Sequence, residues 1–296
     1  MAGTEDRPLP DDIIEHIFSF LPTRDVVKTC VLSRRWRSYW ITVSDLRFSV
    51  SSHHDSFVDS ILRLYGRGKV RKFHLDFNSE QLWPSNINSW VDFVIDHEVE
   101  ELRLNLNICY DYNWLEQIPW GDYTLSPLLY NCSSLTRLVL RGCLYPSCES
   151  ISWSSLKSLS IDNVSGDVLQ KILMSSPVLE YLTLERFWAV EEINSRSLRE
   201  LVIDASLAVR GLRILAPRLL SLRVRLDHFH DIIRIVEVPS LLEAELDFNG
   251  PTVSDFCPLK EMLCKLQNAT RILFGPWSCW VRIVILLPDG RVILSM

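Results

Sequence analysis

A short apolar pattern that recurs along most of this chain constrains its fold more than any other feature. Each copy has the form apolar-x-x-apolar-x-apolar, as in Leu135-x-x-Leu138-x-Leu140. The copies begin at Val70, Val99, Leu135, Leu156, Leu179, Leu198, Leu219, Leu241 and Ala269. From Leu135 to Leu241 the starts are 19 to 23 residues apart, which indicates structural units that stack along the chain.

The last two apolar positions of each copy predict a short strand with one buried face. Units of this length are typical of leucine-rich repeats, in which stacked neighbours bury the apolar edge that one unit cannot bury alone. We therefore predict an α/β fold in which residues 51–276 form a solenoid, with a curved parallel sheet and helices or turns on its outer side. An ordinary βαβ domain is the alternative, but it needs longer helices between strands than these units allow. Helical spacing is found at Asp55–Tyr65, Ser89–Asp96, Tyr123–Tyr130, Gly166–Met174 and Ser254–Leu266.

A different pattern near the start of the chain predicts an amphipathic helix within Leu9–Pro22. Its apolar residues, at steps of three and four, are Ile13, Ile14, Ile17, Phe18 and Leu21. Pro10 suits the first turn of a helix and Pro22 ends it, while Thr23 and Ser33 are candidate caps of two further short helices. Three helices in about forty residues cannot bury this apolar surface alone, so we expect another surface to cover the surplus.

The prolines of this segment, the block Ser33-Arg34-Arg35-Trp36-Arg37 and a second tryptophan, Trp40, resemble an F-box in its plant form. We assign residues 6–50 to it; a helical bundle that packs only on its own chain is the alternative. With phrases such as Ser133–Leu138 and Val238–Ala244, residues 6–250 resemble the plant F-box/leucine-rich-repeat family. Members commonly continue into a C-terminal FBD region, which this sequence is expected to lack.

The resemblance implies the substrate-recognition subunit of an SCF-type ubiquitin ligase, which is not itself catalytic. In such a complex the F-box docks on a Skp-family adaptor, the adaptor links it to a cullin, and the repeats bind the target protein. The adaptor-binding residues that the resemblance implies are Leu9, Pro10, Ile13, Ile14, Ile17, Leu21, Val31, Leu32 and Trp36.

The target protein is expected on the open side of the sheet, where outward side chains alternate with buried leucines. Candidate target-binding residues are Arg103, Arg137, Arg141, Tyr181, Glu185, Asp204, Arg223 and Arg225. These residues carry charges of both signs, so the sequence favours no class of target. Two alternative functions stay open: a receptor that senses a small molecule within the same complex, and a competitor that binds the adaptor and recruits no target.

Composition argues against several other functions. The net charge of −6 does not suit general nucleic-acid binding, and the apolar run Ile283–Leu287 is far shorter than the ~20 residues of a membrane helix. The eight cysteines include no Cys-x-x-Cys, which indicates reduced thiols in the nucleus or cytoplasm rather than a metal site. We find no catalytic motif and no glycine loop that would cradle a cofactor phosphate, so we predict no metal, cofactor or catalytic residue.

The tail, residues 277–296, does not resemble the rest of the family. Two β-branched runs, Arg282–Leu287 and Arg291–Leu294, flank Pro288-Asp289-Gly290, which predicts a hairpin. A solenoid exposes the apolar edge of its last repeat, so we predict that this hairpin caps it. The alternative is an unselected sequence from a truncated gene, whose apolar, nearly uncharged window would favour aggregation.

Overall fold

A computed structural model describes residues 9–51, 55–65, 69–78, 84–106, 123–145, 150–205, 211–226, 233–248, 256–276, 284–286 and 292–294. The chain divides into two compact units, residues 1–119 and 120–296.

The first unit begins with the three predicted helices: α1 (Asp11–Ser19), α2 (Thr23–Lys28) and α3 (Arg34–Tyr39). Short 3₁₀ turns at Thr29–Val31 and Trp40–Thr42 follow α2 and α3. Ser33 caps α3 as predicted, because its hydroxyl oxygen accepts a 3.2 Å hydrogen bond from the N–H of Trp36. The cap predicted at Thr23 is wrong, since this side chain makes no capping bond and is turned toward β1 instead.

Three parallel strands and two helices complete the first unit. In chain order they are β1 (Asp45–Ser51), α4 (Asp55–Leu64), β2 (Lys72–Asn78), α5 (Pro84–Asp96) and β3 (Glu101–Leu106). β2 pairs with β1 on one side and with β3 on the other. The predicted α4 is confirmed within one residue, α5 begins five residues earlier than predicted, and β1 was not predicted.

The second unit contains seven parallel strands of the predicted repeats. They are β4 (Arg137–Arg141), β5 (Ser158–Asp162), β6 (Tyr181–Glu185), β8 (Glu200–Ala205), β10 (Ser221–Leu226), β12 (Glu243–Phe248) and β13 (Arg271–Phe274), adjacent in this order. Their register aligns Leu138, Leu159, Leu182 and Leu201, and each is at most 1% exposed. The predicted continuous core of inward leucines is therefore confirmed.

The outer side of these repeats combines helices with a second sheet that was not predicted. The helices are α6 (Gly166–Ser175) and α7 (Phe256–Lys265). The second sheet consists of β7 (Glu192–Asn194), β9 (Arg213–Leu215) and β11 (Arg234–Glu237), all parallel. Ile193, Ile214 and Ile235 are its buried residues, and their spacing of 21 residues is a sequence signal for this sheet.

The helix predicted at Tyr123–Tyr130 is wrong. Its first part is extended: the N–H of Leu125 donates to the Leu144 carbonyl, and the N–H of Leu144 donates to the Tyr123 carbonyl, both at 2.9 Å. Only Pro127–Asn131 forms a 3₁₀ turn. Pro127 has no N–H to donate, which suits the first position of the turn. The residues before it pair with the backbone of Leu144 instead.

The predicted tail hairpin is confirmed: β14 (Val284–Leu286) and β15 (Val292–Leu294) pair in antiparallel fashion. Its turn, Pro288-Asp289-Gly290, lies outside the described residues. The hairpin's packing against the last repeat stays a prediction.

Candidate protein-binding surfaces

Exposed apolar side chains are concentrated within residues 9–32, on the first helices and at their ends; we call Leu9, Ile13, Phe20, Val31 and Leu32 the helical patch. Phe20, Val31 and Leu32 are 68%, 86% and 67% exposed, and Leu9 and Ile13 are also exposed. Side chains of this size are seldom left in water in such density unless a partner covers them. The patch is therefore a candidate protein interface.

The structure divides the predicted adaptor-binding residues into three groups. Leu9, Pro10, Ile13, Val31 and Leu32 are exposed, whereas Ile17, Leu21 and Trp36 are half-buried. Ile14 is fully buried, so the prediction that it faces a partner is corrected. Phe20 is exposed although it was not predicted.

The geometry of α1 explains the correction at Ile14. Ile14 and Phe18 are four residues apart, and both point into the protein's own core. Ile13 and Ile17, also four residues apart, lie beside them on the same broad stripe and are less buried. Sequence periodicity identifies the stripe, but it does not show where the core ends and the open surface begins.

α3 holds the start of α1 in place through Arg35. The Arg35 guanidinium donates a 2.7 Å hydrogen bond to the carbonyl of Leu9 and forms an ion pair with Asp11. The ring of Trp36 meets that of Phe18 edge to face, with 5.4 Å between centroids. Trp36 therefore packs mainly within the helices, while Leu9 is fixed at the surface beside them.

A second candidate surface is the open face of the second unit, formed by the outward side chains of β4, β5, β6, β8, β10, β12 and β13. Ion pairs across neighbouring strands occupy much of it. Arg225 pairs with Asp204 at 3.3 Å and with Asp247 at 3.6 Å, and Arg223 pairs with Glu245 at 2.6 Å.

The same pairing continues at both ends of the open face. Arg271 lies 3.7 Å from Glu243, and Arg141 pairs with Glu185. Asp162 lies between Arg141 and Glu185 in the register but is fully buried, where it pairs with Arg186 and accepts a 3.0 Å bond from the N–H of Gly142. Strand alternation in β5 would place Asp162 on the open side with Ser158 and Ser160, so its burial departs from the simple strand pattern.

The eight predicted target-binding residues therefore fall into two classes. Six of them are ion-paired within their own unit: Arg103, Arg141, Glu185, Asp204, Arg223 and Arg225. Arg103, in the first unit, lies 3.4 Å from Asp76. Arg137 is exposed and forms no ion pair with any described residue, and the uncharged Tyr181 is also exposed.

A cavity of about 240 Å³ lies on the open face around Arg137 and Tyr181. Its lining consists of Arg137, Ser158, Tyr181, Leu182, Thr183 and Glu200. This volume is below the roughly 300–1,000 Å³ of pockets that enclose a drug-sized molecule. The cavity suits one or two side chains of a protein partner better than a wholly enclosed ligand.

Comparison with known proteins decides the family. The F-box domain model matches residues 8–48, and the model described as "FBD-associated F-box protein At5g56370, LRR repeats" matches residues 87–279, more than half of the chain. The chain belongs to the F-box/leucine-rich-repeat family.

Relatives in Arabidopsis thaliana agree with this assignment. F-box/LRR-repeat proteins At5g02930 and At5g02910 are each 33% identical to the chain, over 291 and 282 residues, or 90% of it. The chain spans 59% of the length of each of these two relatives. F-box/LRR-repeat protein 25 is 33% identical over 233 residues, which cover 75% of this chain and 86% of that protein.

The two matches coincide with the two candidate surfaces. The F-box match, residues 8–48, includes every residue of the helical patch, and the repeat match includes all of the open face. The helical patch is thus the exposed apolar surface of an F-box, and the open face belongs to leucine-rich repeats.

Within the described ranges, no three histidine, cysteine, aspartate or glutamate side chains are grouped as a metal ion would require. Likewise, none of the described helices has the length and hydrophobicity to span a membrane. Burial, with Asp162 nearby, raises the pKa of the Cys143 thiol, which keeps it protonated and unreactive.

Proposed function

We propose that this chain is the substrate-recognition subunit of an SCF-type ubiquitin ligase. F-box/leucine-rich-repeat proteins generally act as substrate adaptors of such ligases, and F-box domains generally bind Skp-type adaptors. In the proposed complex the F-box binds a Skp-family adaptor, the adaptor connects to a cullin, and the repeats hold a target protein.

The observation that carries the proposal is the exposure of the helical patch in a folded F-box. Ile14 and Phe18 are at most 1% exposed, so the F-box has its own core and is not merely unfolded. Val31 and Leu32 nevertheless remain in water. Covering several such side chains at the centre of an interface contributes roughly 1–3 kcal/mol each to binding.

The proposed role requires no catalytic group in this chain. A receptor that holds a target beside the conjugating enzyme raises the local concentration of the target's lysines, and that effect alone accelerates the transfer of ubiquitin. We place the complex in the nucleus or cytoplasm, where the free thiols of Cys132 and Cys143 stay reduced.

Substitution of Leu32 tests the proposal. Leu32→Asp puts a charge within the proposed interface and should reduce capture of a Skp-family adaptor by roughly tenfold or more. The melting temperature should not change, because Leu32 is 67% exposed. Met174→Asp is the matched control, since Met174 is 82% exposed on α6 of the repeats and should not affect capture.

Two results would contradict the proposal. The first is equal adaptor capture by Leu32→Asp and the unchanged protein. The second is adaptor capture without cullin, and without any protein that accumulates when the proteasome is blocked. That second result would support the adaptor competitor instead.

A further inference from the structure

The open face of the repeats contains two charges of opposite sign that the rest of the face leaves unpaired. Each of the other charged side chains on this face pairs with a neighbour: Arg141, Glu185, Asp204, Arg223, Arg225, Glu243, Glu245, Asp247 and Arg271. Arg137 and Glu200 form no ion pair with any residue that the structure describes. Both line the cavity of about 240 Å³.

The register places these two charges in one row across four strands. Arg137 is aligned with Ser158, Ser158 with Tyr181, and Tyr181 with Glu200. Neighbouring strands are about 4.8 Å apart, so the backbones at Arg137 and Glu200 are about 14 Å apart. This separation is too large for a direct ion pair, and it explains why the two charges do not neutralise each other.

The groups between the two charges suit a peptide. Tyr181 is 44% exposed, and its ring offers a rigid apolar surface with a hydroxyl that can donate to a backbone carbonyl. The adjacent row, Val139, Ser160, Thr183 and Val202, is uncharged and half-buried. A segment could lie across this part of the face without displacing an existing ion pair.

We propose that this site binds an extended segment of the target that carries an acidic and a basic side chain four residues apart, with an apolar side chain midway. An extended chain advances about 3.3 Å per residue, so four residues span about 13 Å. Alternation places the first, third and fifth residues on one face. The acidic side chain meets Arg137, the apolar side chain meets Tyr181, and the basic side chain meets Glu200.

This inference rests on the proposed function, because it names the target of the same receptor. It also restricts the site to the region from β4 to β8. Elsewhere on the face the charges are already paired, as in Arg223–Glu245 and Arg225–Asp247. A charged peptide would first have to separate such partners, so these positions discriminate less between peptides of different charge.

Synthetic peptides test the inference. The full chain, co-purified with a Skp-family adaptor, is titrated into fluorescein-labelled nine-residue peptides with a central leucine, and fluorescence polarisation is measured. One series places an acidic and a basic residue two, four or six positions apart. A second series keeps the spacing at four and varies the charges: acidic–basic, acidic–acidic and basic–basic. The acidic–basic peptide with spacing four should bind best.

Single charge reversals should redirect this preference. Arg137→Glu leaves two acidic groups in the row, so basic–basic peptides should bind best; Glu200→Lys leaves two cations, so acidic–acidic peptides should bind best. Each reversal should weaken the acidic–basic peptide by roughly threefold to tenfold. Arg196→Glu is the control: Arg196 is exposed and outside the open face, and reversing it should leave every preference unchanged.

The outcomes separate this inference from the proposed function. If the adaptor co-purifies but both reversals keep the preference of the unchanged protein, or if spacing and charge have no effect, the peptide site is wrong and the receptor function stands. If the chain captures no adaptor, the proposed function fails whatever the peptides do. A preference that follows the reversals supports the site.

Discussion

The hydroxyl oxygen of Thr23, the first residue of α2, accepts a 2.7 Å hydrogen bond from the backbone N–H of Arg47 in β1. Thr23 is 4% exposed, and β1 is an edge strand that pairs with β2 on its other side. One buried hydroxyl therefore joins α2 to β1 and covers a backbone group that an edge strand would otherwise leave unpaired.

We predict that Thr23→Val destabilises the first unit by about 1–3 kcal/mol. Valine keeps the shape of threonine but leaves the N–H of Arg47 without its acceptor in a place that water does not reach easily. Denaturant unfolding measures the loss, and hydrogen exchange at the Arg47 amide should accelerate. Ser19→Ala is the control, because the Ser19 hydroxyl bonds only to the exposed carbonyl of His16. Equal stability of the Thr23 and Ser19 variants would disprove the link.

Leu182→Ala should destabilise the protein by about 2–5 kcal/mol, since it opens a cavity in the row of aligned leucines. Leu182 is 1% exposed between Leu159 and Leu201. Thr183→Ala, at the next position on the open face, should cost under ~1 kcal/mol. Chemical denaturation of both variants checks the prediction. Similar losses at the two positions would mean that the inward and outward faces are assigned wrongly.

Gly166→Ala should destabilise the protein more than the addition of one methyl group usually does. Gly166 begins α6, and a methyl group there would overlap the carbonyl oxygen of Ala189 and lie 2.8 Å from its carbonyl carbon. Backbone atoms cannot move aside as a flexible side chain can, so we expect a loss of about 3 kcal/mol.

Gly211→Ala provides the comparison for Gly166. Its φ of +70° disfavours any residue with a side chain, but nothing lies within 4 Å of the added methyl group. The cost there should be about 1–2 kcal/mol. Thermal melts of both variants rank them; a Gly211 variant less stable than the Gly166 variant would contradict the overlap.

Stability should fall as the pH is lowered below about 6.5, in part because of His74. Burial lowers the pKa of His74 below 6.5, and the nearby Arg47 and Arg103 lower it further, while its 2.9 Å contact with Glu101 acts in the opposite direction. His74 therefore takes up its proton at a higher pH in the unfolded chain than in the folded chain. Protonation favours unfolding over the interval between the two pKa values, so stability rises with pH there.

His74→Gln removes this titration and keeps a polar side chain. The free energy of unfolding, measured in denaturant from pH 5 to 8, should depend less on pH in this variant than in the unchanged protein. Parallel curves for the two proteins would show that His74 makes no net contribution.

The positions of the repeat strands follow from the sequence alone. Leu138, Leu159, Leu182 and Leu201 must all be inward, because a strand places alternate residues on opposite faces and only one face is apolar. The capping role of Ser33 was equally local, since a hydroxyl three residues before a free N–H has one obvious partner. These features depend on neighbours along the chain, which the sequence displays directly.

Which residues meet across the chain depends on how the chain folds. Thr23 had the same local capacity to cap a helix as Ser33, but β1 offered it a buried N–H from Arg47, 24 residues away. Ile13 and Ile14 share one apolar stripe, and packing buries only Ile14. Arg141 and Arg137 are equally charged residues of β4, yet only Arg141 has a partner in reach, Glu185, two strands away. Periodicity specifies which face of an element is apolar; the partner of each side chain depends on register and distance, which exist only in the folded chain.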